Sequence, residues 1–237
     1  MSSQTLSLSG NTADLECTFF PPIEVGDAAE IGLLSLLTYN SMPNIESGCN
    51  TLGVINSRGD TSLITIPTGC YEIAALESKI QELLSKSSVK FFELKTDSST
   101  LKCSIHCSND IVFDVQNSLA PLLGFDCNSR LLADHVHESH GIVDVMKINC
   151  IKVVCNLAMG SFENGKQTHA IHEFYPAVAP GYKIIEVPKY CVLYKLKTNT
   201  IDHLRVTLRD QNGKLINTRG EPLNVRLLIK KWGSNLI

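Results

Sequence analysis

The side chains best suited to chemistry fall in four short groups. Asp134, His135, His137, Glu138 and His140 crowd into one tract, and imidazoles and carboxylates at that density could bind a divalent metal. The spacing is poor for a single preformed site. On a strand His135 and His137 share a face while His140 points away, and in a loop nothing fixes any of them. No second ligand set with recognised spacing completes the tract. His169-Ala170-Ile171-His172-Glu173 has the residue types of a zinc hydrolase in the wrong order. It fits neither His-Glu-x-x-His nor His-x-x-Glu-His, both of which use a helix to bring two imidazoles together. The context reads as strand, which puts His169 and His172 on opposite faces. Cys103, His106 and Cys107 are also close in sequence, but no second Cys or His pair at zinc-finger spacing completes a tetrahedral site.

Arg58-Gly59-Asp60 is the fourth group. The tripeptide matches the integrin-binding motif, and an extended loop can offer a guanidinium and a carboxylate on either side of a flexible glycine. Against this, Gly-Asp is ordinary turn chemistry and three residues coincide often by chance. Catalysis has no visible foothold: there is no Gly-x-Ser-x-Gly elbow, no phosphate-cradling Gly-x-x-x-x-Gly-Lys-Ser/Thr loop and no dinucleotide fingerprint. The expectation is a non-enzyme with no catalytic residue, cofactor or metal site, and with Arg58, Gly59 and Asp60 as the candidate receptor contact.

The elements that must position these groups are mostly strands. From Ile201 to Trp232, Leu204, Val206 and Leu208 alternate with charged and polar residues, and Leu223, Val225, Leu227 and Ile229 do the same after Gly220 and Pro222. Each segment predicts a half-buried strand. Asn212-Gly213 between them predicts a tight hairpin turn, since both residues tolerate positive φ. Further strands are expected at Leu15 to Phe20, stopped by Pro21-Pro22, and at Ala28 to Tyr39. Others follow at Thr51 to Ile55, Ser62 to Ile66, Val89 to Leu94, Leu101 to Cys107, Asp110 to Val115 and Met146 to Leu157. Thr168 to Tyr175, Tyr182 to Val187 and Val192 to Lys197 complete the set. Asn164-Gly165 predicts a second hairpin, and Arg130 to His140 is expected to be a loop. Only Tyr71 to Leu84 changes period: Ile73, Leu76, Ile80, Leu83 and Leu84 fall on one helical face. Pro121 suits the first turn of a short helix within 118–125. The pattern predicts an all-β protein, a sandwich or barrel of about a dozen short strands with one long helix. Residues 1–14 read as an N-terminal arm or edge strand and 15–237 as a single domain, with 71–123 an inserted helix-containing region.

Composition bounds the function classes. In 237 residues, 43% apolar content is ample for a packed core. A net charge of −3 with scattered Lys and Arg argues against direct nucleic-acid binding. No apolar run reaches the roughly 18 residues of a membrane helix, and the start of the chain does not read as a signal peptide. Nine cysteines cannot all pair within one chain. Their spread through apolar segments favours buried free thiols in a reducing compartment.

Several short blocks together resemble the minor capsid, or penton, proteins of Polinton/Maverick elements and the related adintoviruses. They are Phe19-Phe20-Pro21-Pro22-Ile23, Thr38-Tyr39-Asn40-Ser41-Met42-Pro43-Asn44, Ile64-Thr65-Ile66-Pro67-Thr68-Gly69 and Ala120-Pro121-Leu122-Leu123-Gly124-Phe125. His172-Glu173-Phe174-Tyr175-Pro176 and Pro180-Gly181-Tyr182-Lys183-Ile184-Ile185-Glu186-Val187-Pro188 continue the order through the C-terminal third. The resemblance implies a single jelly-roll β-sandwich, five copies of which close a homopentamer at each vertex of an icosahedral virion. A separate double jelly-roll major capsid protein would build the faces. It also implies synthesis in the reducing host cytoplasm or nucleus. Pentons of larger viruses can carry Arg-Gly-Asp in an exposed loop, which would make an integrin-like host receptor a partner. The residues by themselves leave open a jelly-roll ligand- or metal-binding module, lectin-like or cupin-like, built on His135, His137 and His140.

Overall fold

The computed structural model describes residues 2–145 and 147–231. The chain divides into two compact units, one formed by residues 1–42 with 148–237 and the other by 43–147. The second unit is an insertion in the first, and its bounds are wider at both ends than the 71–123 read from the helix period.

The first unit begins with β1 (Ser2–Gly10), β2 (Asp14–Glu24) and β3 (Glu30–Tyr39). The inserted unit follows, with β4 (Thr51–Ile55), β5 (Thr61–Thr65), α1 (Ile73–Leu84), β6 (Phe92–Thr96), β7 (Lys102–Cys107), β8 (Ile111–Val112), α2 (Ala120–Leu123), β9 (Arg130–Leu131) and β10 (Val136–Ile142). The chain then returns to the first unit through β11 (Ile151–Cys155), β12 (Ala158–Met159), β13 (Ser161–Glu163), β14 (Lys166–Thr168) and β15 (Ala170–Phe174). It ends with β16 (Lys183–Glu186), β17 (Tyr194–Leu196), β18 (Thr200–Arg209) and β19 (Leu223–Lys231). The expected strands that reach Met146 and Trp232 do so on residues outside those described.

The first unit is a jelly roll, and its strand order shows this directly. One sheet runs β1-β19-β3, with β16 and β17 lying one after the other along the far side of β3; the other runs β15-β11-β18-β2. The first strand therefore pairs with the last and the second with the next to last, all antiparallel, which is the double Greek key of eight-stranded jelly rolls. Alternation builds the core between the sheets. Leu223, Val225, Leu227 and Ile229 of β19 face Val153, Cys155, Leu204, Val206 and Leu208 of the opposite sheet in one buried cluster. Residues 2–10, left open between arm and edge strand, pair along their whole length with β19.

Three local expectations change. The segments flanking Asn212-Gly213 do not pair with each other: β18 pairs with β11 and β2, and β19 with β1 and β3. The tight turn does form, with Gly213 at φ +79° and its N–H donating to the Asp210 carbonyl. It returns the chain only as far as Ile216, whose N–H donates to Leu208, before the chain passes to the other sheet. Pro21-Pro22 does not stop β2, because β2 is an edge strand and its outer side needs no amide donors. Residues 130–140 are not one loop: they form β9 and most of β10, and only 132–135 turn between the two strands.

The inserted unit has its own core. Sheets β5-β4-β8-β9 and β10-β7-β6 and helix α1 bury Leu52, Ile66, Leu76, Ile80, Ile105 and Phe113 together. Helix α1 presents Leu76, Ile80 and Leu84 at four-residue spacing, and Ser85 and Ser87 end it by donating to the Glu82 and Leu84 carbonyls at 2.6 Å each. Asn44 joins the two ends of the insertion. Its amide donates to the Tyr71 and Val145 carbonyls at 2.7 and 3.1 Å, while its oxygen accepts from Tyr71 N–H.

Candidate interaction surface

Arg58, Gly59 and Asp60 lie in the β4–β5 connection, all exposed. Asn56 shapes this loop: its side-chain oxygen accepts from the N–H of Arg58 at 2.9 Å and of Asp60 at 3.0 Å. Gly59 turns at φ +87°. The loop is thus a backbone-ordered turn that presents both charged residues to solvent.

The histidines are not drawn together into one site. His135 Nδ1 lies 2.8 Å from the Ala133 carbonyl and His137 Nε2 lies 3.0 Å from that of Leu132. A carbonyl only accepts, so each of these nitrogens carries a proton and is closed to a metal. His140 Nδ1 is 3.7 Å from Asp126, away from the other pair. Among the described residues, no group of three or more His, Cys, Asp and Glu could hold a metal ion. On β7, Cys103 and Cys107 point into the core while His106 packs its ring 4.6 Å from Phe91. Burial pushes the Cys103 thiol up to about 12, so it stays protonated and inert. His169 bonds the Ala158 carbonyl, whereas His172 bonds Glu186 at 2.8 Å. That second bond ties β15 in one sheet to β16 in the other.

A surface that residue-by-residue reading missed lies at this same edge of the jelly roll. β16 and β17 are two halves of one ladder against β3, and between them seven residues, 187–193, lie opposite four, 32–35. The excess residues must leave the sheet. Gly32 makes room for them, since a Cβ there would lie 2.5 Å from the Val192 carbonyl oxygen and 2.7 Å from Cys191 Sγ. The excursion, β16 and the loop before it expose Tyr175, Tyr182, Ile185, Val187, Tyr190 and Val192, each between 54% and 75% accessible. Beside them is a shallow cleft of about 240 Å³ lined by Phe162, Ala170, His172, Val192 and Tyr194, among others. Of its charged groups, Glu163 pairs with Lys152 and His172 with Glu186, while Glu173 is exposed on the same wall. Its walls are mixed, with Ser161, Thr168 and Glu173 beside Phe162, Ala170, Ile171, Val192 and Tyr194.

The opposite edge of the sandwich carries a projection. Along β2 and β18 the ladder jumps from His203↔Thr18 to Ile201↔Ile23, so Phe19, Phe20, Pro21 and Pro22 face Asp202 alone. The surplus loops outward and leaves Phe20 98% exposed. The signal for both surfaces was in the sequence as aromatic residues beside proline, Phe19-Phe20-Pro21-Pro22 and Val187-Pro188-Lys189-Tyr190. Without the register, these could not be told from strand ends.

No family model matches the chain, and no curated protein matches it. Among solved structures, the chain is similar to the crystal structure of the selenomethionine-labelled mavirus penton protein. The two share 9% sequence identity, with 97% of this chain and 99% of that chain covered and a TM-score of 0.48.

Proposed function

We propose that this chain is a minor capsid protein, a penton subunit of which five copies close a ring at the five-fold vertices of an icosahedral virion. The observation that carries the reading is the pair of unlike surfaces on opposite edges of one jelly roll. A projecting phenylalanine lies on one edge and an exposed aromatic and aliphatic strip on the other. A folded chain seldom leaves this much apolar surface open unless something covers it, and a closed ring of identical subunits needs two different patches per copy. The ordered blocks that resemble the Polinton/Maverick and adintovirus pentons support the same reading, and nine cysteines spread through the chain suit assembly in a reducing cytoplasm or nucleus. In this role the chain is structural and not enzymatic. A double jelly-roll major capsid protein surrounds the ring, and the Arg58-Gly59-Asp60 loop is the contact for an integrin-like receptor. Native mass spectrometry and electron-microscope imaging of the purified protein test the reading. Five-fold rings are the expected result, and a strict monomer at high concentration would overturn it.

A further inference from the structure

We infer that β1 is a docking edge for another protein, which adds an extended segment antiparallel to it with apolar and acidic residues in alternation. The contact needs no ring and gives the chain a partner other than itself. Of the edge strands among the described residues, β2, β10 and β1 are the longest. β2 carries Pro21-Pro22 and a jump in register, and β10 a shift between Glu138 and Ile142. Such devices keep an open edge from pairing with other chains. β1 has none of them. Its nine residues run in unbroken register from Ser2↔Lys231 to Gly10↔Leu223, with no proline and no charge. Among the described residues, only β19 bonds to its backbone, so every second residue turns its N–H and C=O outward unpaired. The core is also incompletely covered here. β1 and β2 end their respective sheets and are joined by residues 11–13 alone, so they border the same edge of the sandwich. Leu6, Cys17, Phe19 and Ile23 pack against the core from this edge but stay half-buried. An added strand would lay every second side chain over them, and apolar residues suit those positions. Charge selects the other face of the partner. β1 and β19 carry Arg226, Lys230 and Lys231 and no acid. Lys230 stands opposite Glu30, and Lys231 donates to the Glu24 carbonyl. Arg226 is exposed and has no ion-pair partner among the described residues. It stands opposite Ser7, whose short side chain leaves the guanidinium free to reach across β1, about 10 Å between alternate strands, to a carboxylate on the added strand. A second copy of β1 would bring no carboxylate, so a copy of this chain is the poorer occupant.

The test uses the full-length chain and two fluorophore-labelled synthetic peptides of roughly β1's length, one alternating valine with glutamate and the other valine with lysine. Fluorescence anisotropy is expected to show saturable binding of the glutamate peptide and binding of the lysine peptide weaker by about tenfold or more. Arg226→Glu, and Ser7→Glu, which gives Arg226 a carboxylate of its own, are each expected to weaken the glutamate peptide by about tenfold. Ser7→Ala should leave it unchanged. Circular dichroism melts check that each variant is folded. Amide hydrogen exchange reads strand addition separately: alternate amides of β1 should become protected when the peptide binds. Absence of binding, equal binding of both peptides, or binding that leaves exchange in β1 unchanged would overturn this assignment. Dimers of the free chain with those amides already protected would overturn it too, by giving the edge to a second copy. The mass of the wild-type assembly decides the ring reading independently of all these outcomes.

Discussion

At the scale of single residues, buried and half-buried polar side chains tie the fold together. The Asn residues of the Thr38 to Asn44 block are clamps. Asn40 donates to the Val178 carbonyl at 2.6 Å and receives Gly181 N–H on its own carbonyl, holding the loop before β16, and Asn44 joins the ends of the insertion. Asp110 is a similar tie. The Arg130 guanidinium, bonded at 2.6 and 2.9 Å, and the Ala133 N–H at 2.8 Å hold its carboxyl below the usual carboxylate range. Because the folded-state value is lowered, the tie stabilises the inserted unit above the ordinary carboxylate range near pH ~4 and is lost as pH falls through the lowered value. Asp110→Asn is therefore expected to cost about 1 kcal/mol at neutral pH, a figure discounted for the exposed guanidinium. It should also flatten the acid side of the stability curve. Denaturant unfolding from pH 7 to pH 2 measures both, and an unchanged acid limb would show that Asp110 contributes nothing.

At the scale of elements, the irregularities are the informative features. Two ladders of the jelly roll each take up surplus residues, and both surpluses carry proline and exposed aromatic side chains. Edge strands elsewhere in proteins are blunted by bulges and prolines; here the same devices also lift side chains clear of the sheet. In the inserted unit, helix α2 ends at Gly124, which adopts φ +75°. Its missing side chain matters as much as its backbone angle, because a Cβ would stand 2.4 Å from the Gly141 carbonyl oxygen and 2.9 Å from that of Ile142. Gly124→Ala is expected to destabilise the inserted unit by roughly 2–4 kcal/mol, combining left-handed strain with the backbone clash. Gly124→Asn eases the first cost and not the second, so it should not restore stability. A denaturation series over the three proteins separates the two causes, and a stable Asn variant would assign the whole effect to the backbone angle.

At the scale of the whole molecule, the inserted unit has its own hydrophobic core and chain ends held together by Asn44, the usual condition for one domain to be carried within another. It also carries the Arg58-Gly59-Asp60 loop. A ring multiplies that loop by the number of copies, so receptor binding should depend on assembly as well as on the motif. On a surface coated with an integrin-like ectodomain, an assembled fraction of the chain is expected to bind about 100-fold or more tightly than a monomeric fraction, from avidity alone. Asp60→Glu should abolish binding in both. Equal binding by Asp60→Glu would remove the loop from this role while leaving the capsid reading untouched.

The sequence by itself determined the all-β class, α1, the Asn164-Gly165 hairpin and the apolar faces of β18 and β19. Each of these depends on a local period of two or 3.6 residues, or on a turn that only a few residue types adopt. Within the motifs, spacing alone placed Arg58 to Asp60 in a loop. Tertiary structure decided which strands pair. The turn at Asn212-Gly213 looked like a hairpin because local residues specify a reversal, but they do not specify the partner sheet. The polar alternation of 136–142 looked like a loop because a solvent-facing edge strand buries too little to show a period. The two exposed surfaces were decided entirely by register: surplus residues become a projection only against a shorter partner strand, and that partner is a long way off in the sequence.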